Sequence, residues 1–231
     1  MNLAVALLVV GSAVAAAGET PVAVPVVKTA SLEVLEWEKP EKLAVKATGE
    51  VPSLGYTAPT LARVLHAKPP KDGVQDFAFT VVPPDGAAGQ ALAEVSAEAE
   101  WAGYKKAAPW LKGVRVKGAG KAEKVLWLKA DVVVEKDATS GKAKAGQVVE
   151  VRTTYGVLPV MPSDFAVTVA GKAVPFNGFS GLVRVDGRPV VGASLYRYFF
   201  RIDKPGKVKV VVSYKLGDAT TEKAVELDVT K

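Results

Sequence analysis

The chain has 231 residues, 49% of them hydrophobic, and a formal net charge of +6 from 30 Lys and Arg against 24 Asp and Glu. It contains no cysteine and a single histidine, which excludes disulfides, thiolate nucleophiles and sulfur-ligated metals and disfavours zinc, which generally takes several His or Cys ligands. The positive charge is mild and forms no cluster along the chain, so the sequence predicts no nucleic-acid partner.

The first seventeen residues, Met1–Ala17, are uncharged and apolar and end in small residues. An apolar core such as Leu3–Val10, followed by alanines before Gly18, is typical of a signal peptide and its cleavage site, although no basic side chain precedes the core. The stretch is shorter than the roughly 20 residues of a membrane-spanning helix. We expect cleavage after Ala17 and a periplasmic or secreted product with no membrane segment, an uncleaved N-terminal anchor being the alternative. Residues 18–30, rich in Pro and Val, are predicted to be a tether.

Alternation of apolar and polar residues with period two predicts strands throughout residues 31–130. In Ala93–Trp101 the apolar side chains share one face and the glutamates the other. A turn is expected at Tyr56–Pro59. The segments predicted as further strands are Ser31–Trp37, Leu43–Val51, Leu61–Ala67, Asp76–Val81, Gly113–Lys117 and Ala122–Lys129, the last with Val125 and Trp127 on one face. About seven strands indicate an antiparallel β-sandwich domain over 31–130.

The second half, 131–231, closes with a predicted meander of three strands, Leu195–Ile202, Lys207–Lys215 and Thr221–Thr230. Four earlier strands are predicted at Asp131–Glu135, Gln147–Thr154, Phe165–Ala170 and Leu182–Val185, with a loop over Thr139–Gly146. The Asp203-Lys204-Pro205-Gly206 corner, the valine-alternating strand that ends at Tyr214 and the closing strand resemble a bacterial immunoglobulin-like β-sandwich module. The resemblance implies a fold and no function, and it lacks the Cys–Trp–Cys arrangement of antibody domains. The boundary between the two domains is placed near Ala130.

Residue types that often perform catalysis are few and isolated. His66 ends a predicted strand, and Ser180, the only serine between glycines, departs from the Gly-x-Ser-x-Gly elbow. Asp-Gly is a strong turn signal, so Asp72 and Gly73 predict a turn rather than, with Asp76, a calcium loop. We therefore predict no catalytic, metal-binding or cofactor-binding residues.

Glycoside hydrolysis needs only two carboxylates across a cleft, so a carboxylate-only glycosidase is an alternative. The acidic candidates fall mostly on polar strand faces, which indicates solvated surface; they are Glu33, Glu36, Glu38, Glu41, Glu94, Glu98 and Glu100. A minor alternative is a protease inhibitor, because Thr153-Thr154-Tyr155-Gly156 faintly resembles a loop of chagasin-type inhibitors. The Asn-Pro of that loop is absent, and Leu216–Ala219 replaces the family's Arg-Pro-Trp segment.

The leading expectation is an exported, non-catalytic binding or structural module of the bacterial envelope that contacts an envelope protein or a polysaccharide through loop or sheet surfaces. The apolar loops Gly156–Pro162 and Pro175–Phe179 either mark contact sites or close the ends of a sandwich. A cleft with two carboxyl groups roughly 5–10 Å apart would favour the glycosidase, and a continuous apolar patch would favour the binding module. The sequence specifies neither the binding residues nor the oligomeric state.

Overall fold

The protein is built almost entirely of strands. The structure, a computed structural model, describes residues 20–35, 40–86, 88–135, 137–156, 163–174, 178–185 and 188–231. These residues form 17 strands and one four-residue helix, so the predicted all-β class is confirmed. None of their helices is long and apolar enough to cross a membrane. The predicted signal peptide Met1–Ala17 and most of the two apolar loops, 157–162 and 175–177, lie outside the described residues.

Two sheets form the first half of the chain. In chain order its elements are β1 (Val22–Ala23), β2 (Val26–Leu35), β3 (Lys42–Val51), β4 (Thr57–Arg63), β5 (Val74–Val82), β6 (Ala93–Ala102), α1 (Tyr104–Ala107), β7 (Gly113–Lys117) and β8 (Glu123–Trp127). One sheet has the order β2-β3-β6, and the other the order β4-β5-β7-β8 with β1 paired to the far end of β5. Strands β5 and β7 are parallel, whereas their neighbours are antiparallel.

The core of the first half lies between these sheets and follows the predicted alternation. Phe77 and Phe79 of β5 are buried together with Leu43 and Val45 of β3. Gly49 of β3 is tightly enclosed by this core: an added Cβ would lie 2.5 Å from a methyl of Val24 and 2.9 Å from the Phe79 ring. Because interiors are packed near crystal density, a side chain at this glycine would have to displace its neighbours.

The predicted tether is wrong for the described part of its range. Val22 and Ala23 pair with β5, and the fully buried Val24 donates a backbone hydrogen bond to the Phe79 carbonyl at 3.0 Å. Strand β2 then begins at Val26. A Pro- and Val-rich composition suits an extended segment, and here the extended segment packs into the sandwich instead of leading away from it.

The predicted turn at Tyr56–Pro59 is also wrong, because β4 begins at Thr57 and contains Pro59. Within the described chain β4 pairs only with β5, and an edge strand tolerates a residue without an N–H donor. The register shifts between Thr57 and Thr60, where Ala58 has a φ of 45°. The proline therefore lies at a register shift within β4, and not in a turn before the strand.

The second half also contains two sheets. Its strands are β9 (Val132–Val134), β10 (Ser140–Lys144), β11 (Val148–Gly156), β12 (Ser163–Val169), β13 (Lys172–Val174), β14 (Gly178–Val185), β15 (Arg188–Arg201), β16 (Gly206–Leu216) and β17 (Ala219–Thr230). The sheet orders are β14-β15-β11-β9 and β10-β17-β16-β12-β13. The loop predicted at Thr139–Gly146 is wrong, since β10 occupies most of it and pairs with β17 in parallel; β9 and β11 are parallel as well.

The second half has a core of its own, in which Tyr198, Val210 and Leu227 are among the members that are almost completely buried. The first core ends in sequence at Leu128 and the second begins at Val134, so the boundary placed near Ala130 falls between them. We call the two halves the first and second modules.

Hydrogen bonds anchor the chain on both sides of Ala130. The N–H groups of Leu128 and Lys129 donate to the Lys112 carbonyl at 2.7 and 3.1 Å, and the Asp131 N–H donates to the Val148 carbonyl at 2.8 Å. Lys112 Nζ also lies 3.3 Å from Asp131 Oδ1. The junction is thus tied to both modules.

Candidate functional site

A groove of about 280 Å³ lies at the end of the first module where β4 ends, β5 begins and β6 ends. Its lining brings together Arg63, His66, Gln75, Trp101 and Trp110, with the chain from Val64 to Pro69 as its outer wall. We call it the tryptophan groove. Its volume is close to the lower end for small-molecule sites, roughly 300 Å³.

The aromatic wall of the groove is fixed by local structure. Trp101 occupies the last inward position of β6 and is buried, and its ring lies 6.3 Å from that of Tyr104. Gly103, with a φ of 66°, lets the chain leave the strand and start α1. The segment after α1 then places Trp110, which is half-buried, on the same groove.

Arg63 covers the Trp101 ring, with its guanidinium carbon 4.4 Å from the ring centroid. Such stacking is favourable because the indole face carries partial negative charge. Stacking involves only the flat face of the guanidinium, so the N–H groups at its edge can still donate hydrogen bonds to another group. Arg63 makes no ion pair within the described part of the chain.

Gln75 is a polar side chain held inside the groove wall, with only 4% of its surface exposed. Its Nε2 donates to the carbonyl oxygens of Val64 at 2.6 Å and Asp76 at 2.9 Å. Both partners are acceptors, so the NH₂ group of the amide must face them and Oε1 must point the other way. Among the described residues Oε1 accepts no hydrogen bond, so it is available to a donor in the groove.

A network of charges supports His66 from the outer face of the β5–β7 sheet. The buried Asp76 carboxylate accepts hydrogen bonds from Arg115 at 3.1 Å and Lys117 at 2.9 Å, and His66 Nε2 lies 3.5 Å from its Oδ2. The Asp76 carboxylate is therefore neutralised by two cationic side chains of β7, and the histidine lies next to it at the edge of the groove. No serine or threonine is among the described residues that line the groove, so the described lining offers the pair no hydroxyl nucleophile.

Asp72 and Gly73 form a turn, as the sequence predicts. The Val74 N–H donates to Asp72 Oδ1 at 3.0 Å, and Gly73 has a φ of 71°. Burial alone would raise the pKa of Asp72, but hydrogen bonds from Arg115 and the Val74 N–H outweigh it and lower that pKa. No group of three or more His, Cys, Asp or Glu suited to a metal ion occurs among the residues that the structure describes.

A second cleft, of about 370 Å³, lies between the two modules. Its wall includes Tyr104, Lys105, Leu111, Lys129 and, from β15, Arg197. Ala108 lines this cleft as well as the tryptophan groove. The segment from α1 to Leu111 is thus the partition between two recesses, and we call the second one the junction cleft.

Arg197 is held at the junction cleft by Glu150 of β11. Its Nε and Nη2 donate to the two Glu150 carboxylate oxygens, each at 2.7 Å, and Arg152 Nε donates at 2.6 Å. Only 1% of Glu150 is exposed. Desolvation would raise the pKa of Glu150, but the hydrogen bonds from Arg197 and Arg152 outweigh it and lower that pKa.

The glutamates weighed as hydrolase candidates on β6 lie on a solvated face. Glu94, Glu98 and Glu100 are paired with Lys28, Lys46 and Lys42 at 3.7, 3.3 and 3.1 Å respectively. A third cleft, of about 420 Å³ between β2 and β8, is lined by one carboxylate, Glu123. Glu36 and Glu38 lie outside the described residues. Among the residues that are described, none of these three clefts is lined by two carboxylates, the arrangement that would favour a glycosidase.

Two further predicted features lie on strands. Thr153 to Gly156, which resembles an inhibitor loop, is the end of β11 and pairs residue by residue with β15, so this segment is not a loop. Ser180 lies on β14, opposite Tyr196.

Sequence reasoning missed the groove because its residues come from separate segments. Gln75 lies inside an otherwise apolar run, which is a signal that was present in the sequence. Trp101, Tyr104 and Trp110 gather three large aromatic residues just after a predicted strand. A buried polar residue is an informative exception to the usual partition of residue types.

The chain matches no protein-family model and no curated protein. A solved structure, the solution structure of Amebosin, aligns with 43% of this chain and 97% of its own, at 15% identity and a TM-score of 0.30. A likeness at that TM-score carries no argument about fold or function.

Proposed function

We propose that the protein is an exported, non-catalytic binding module of the bacterial envelope that holds a polysaccharide in the tryptophan groove. One observation carries the proposal: the half-buried Trp110 shares the groove with the buried Gln75, whose Oε1 has no donor among the described residues. Sugars present hydroxyl donors beside C–H faces. An aromatic ring and a fixed acceptor satisfy these two features together.

Binding without catalysis agrees with the chemistry of the lining. The described residues that line the tryptophan groove include no carboxylate and no hydroxyl group, and His66 is the one imidazole among them. Asp72 and Glu150 have lowered pKa values, whereas a glycosidase acid needs a raised one. The carboxylate-only hydrolase is therefore the weaker candidate.

The second module fits the role of a structural partner. Its sheet orders, β14-β15-β11-β9 and β10-β17-β16-β12-β13, correspond to the four-stranded and extended sheets of an immunoglobulin-like sandwich if β9 is its first strand. The parallel pairing of β9 with β11 departs from that scheme. We include an immunoglobulin-like second module in the proposal on this ground.

Replacement of Trp110 tests the proposal, with Trp127 as the matched control. Trp127 is also half-buried but lies on the outer face of β8, away from the groove. Affinity electrophoresis of the full chain through gels that contain neutral and acidic polysaccharides should show retardation by at least one of them. Trp110→Ala should weaken that binding by about tenfold or more, as loss of a central aromatic contact does, and Trp127→Ala should leave it unchanged.

Two outcomes would contradict the proposal. One is the absence of retardation by every polysaccharide. The other is an equal loss in both variants, which would make the tryptophans important for folding rather than for binding. Far-UV circular dichroism of each variant verifies that the sheets are retained.

A further inference from the structure

We propose that the ligand is an acidic polysaccharide with uronic acid units, and that one chain of it occupies the tryptophan groove and the junction cleft on both sides of the α1 partition. This inference rests on the proposed function and adds the chemical class of the ligand. The juxtaposition that carries it is Arg63, free of ion pairs in the described chain, beside the buried acceptor Gln75.

Arg63 suits a carboxylate because its guanidinium is already oriented. Stacking on Trp101 fixes its plane, so little side-chain freedom remains to be lost when a ligand binds. The N–H groups at the edge of a guanidinium match the two oxygens of a carboxylate. Lys68 lines the same groove and also makes no ion pair with the described residues.

Both recesses carry the same sign of charge. Among the described residues, the tryptophan groove is lined by the cations Arg63 and Lys68 and the junction cleft by Lys105, Lys129 and Arg197, with no carboxylate in either set. Glu150 neutralises Arg197 from behind, so the relevant cation of the junction cleft is Lys129, which makes no ion pair with the described residues. Clefts lined by one sign of charge and bounded by protein concentrate ligands of the opposite sign.

Some of the cations outside the recesses are neutralised by carboxylates. On the outer face of the β2–β3–β6 sheet, Lys42 and Lys46 are each paired with a glutamate. Recognition of a nucleic acid would instead require an uninterrupted basic stripe that follows a phosphate backbone. Separate cations at two adjoining recesses suit a polymer whose charges are spaced one sugar apart and whose hydroxyl groups donate to Gln75.

A pair of polymers with one backbone tests the inference directly. Polygalacturonate carries a carboxylate on each unit, and its methyl ester has the same sugars without the charge. Affinity electrophoresis of the full chain at about 0.1 M salt should give polygalacturonate binding about tenfold tighter than its methyl ester, the value of a good charged hydrogen bond. Single-stranded DNA serves as the competing polyanion and should bind more weakly.

Variants locate the interaction. Arg63→Gln should reduce polygalacturonate binding to the level of the methyl ester, and Lys129→Gln should reduce it by a smaller factor. Lys71→Gln is the matched control. Lys71 is exposed on the turn that follows the groove wall, and it lines neither recess. Its affinity should equal that of the unaltered chain, apart from the small effect of one distant charge.

The outcomes separate the two proposals. Equal affinity for both polymers, lost in Trp110→Ala, would overturn the acidic ligand and keep the binding function. Tighter binding to DNA than to polygalacturonate would overturn the polysaccharide as the ligand. Wild-type affinity in Lys129→Gln together with a loss in Arg63→Gln would restrict the site to the groove and refute the single chain across the partition. No binding to any polysaccharide would contradict the proposed function itself.

Discussion

Glu150 provides the sharpest test of how the second module is stabilised. It is buried on β11 and accepts three hydrogen bonds from Arg152 and Arg197. Removing one partner of a buried ion pair costs about 3–5 kcal/mol, because the remaining charges stay desolvated. Here the two arginines are 29% and 25% exposed and can partly rehydrate. We therefore expect Glu150→Gln to lower the free energy of unfolding by about 3 kcal/mol, at the low end of that range.

Calorimetry is the appropriate assay, because all four tryptophans precede residue 131 and their fluorescence does not report on the second module. For a domain of about 100 residues, a loss of about 3 kcal/mol corresponds to a decrease in Tm of roughly 12 °C or more. The control is Glu222→Gln, an exposed glutamate of the same module, which should change stability by less than about 0.5 kcal/mol.

The pH dependence gives a second readout of the same group. The pKa of Glu150 in the folded protein is lowered from its ordinary value of 4.5. Its contribution to stability is therefore complete above that value and is lost as the pH falls through the folded pKa. The difference between the unaltered chain and Glu150→Gln should be constant near neutral pH and shrink in acid. A loss below about 1 kcal/mol at pH 7, or a difference that grows in acid, would refute the reasoning.

Three further predictions concern the first module and use urea unfolding followed by tryptophan fluorescence. Gly49→Ala should destabilise it by about 1–3 kcal/mol or more through overpacking, and an unchanged midpoint would show that the sheets can separate without cost. Val24→Ala should lower the free energy of unfolding by about 2 kcal/mol, and Val22→Ala, at an exposed position, by less than about 0.5 kcal/mol. Equally small effects of both would instead support the prediction of a tether that does not pack on the sandwich. Leu126→Ala should cost about 2–5 kcal/mol and Val125→Ala clearly less, and the reverse order would mean that the faces of β8 are assigned wrongly.

Strands with strict alternation were predictable from the sequence. Phe77, Phe79 and Val81 face the core as expected, as do Val210 and Val212 in the second module. Burial of one face selects for this pattern, so the sequence records it directly. For the same reason the all-β class could be derived without a structure.

The errors have physical causes that a local pattern does not contain. Val125 and Trp127 share a face, as predicted, but it is the outer face of the sheet, and Leu126 is the buried side chain of β8. The Trp127 ring lies beside Gly113 on the outer side of the neighbouring strand, where the missing side chain leaves room for it. Strand β10 has the composition of a loop and is defined by its partner β17, because strand propensity depends strongly on tertiary context.

The candidate site was the least predictable part. Sequence analysis assigned His66 no role, and the structure adds a contact to Asp76 and a position at the edge of a groove. Arg63, Gln75 and Trp110 have no common spacing, since the end of β4, the start of β5 and the segment after α1 bring them together. Sites at the ends of a sandwich are set by the arrangement of loops, which alternation does not encode.

The junction described above has a mechanical consequence. The anchored residues Lys129 and Asp131 are separated by one residue, Ala130, so the connection provides almost no slack. A flexible linker would let two contact points search for a long polymer independently, at an effective concentration set by linker length. If a polymer occupies both recesses as proposed, the short junction keeps the two contact points at a fixed spacing. A polymer whose charges repeat with a matching period would be favoured over one of equal charge and different period.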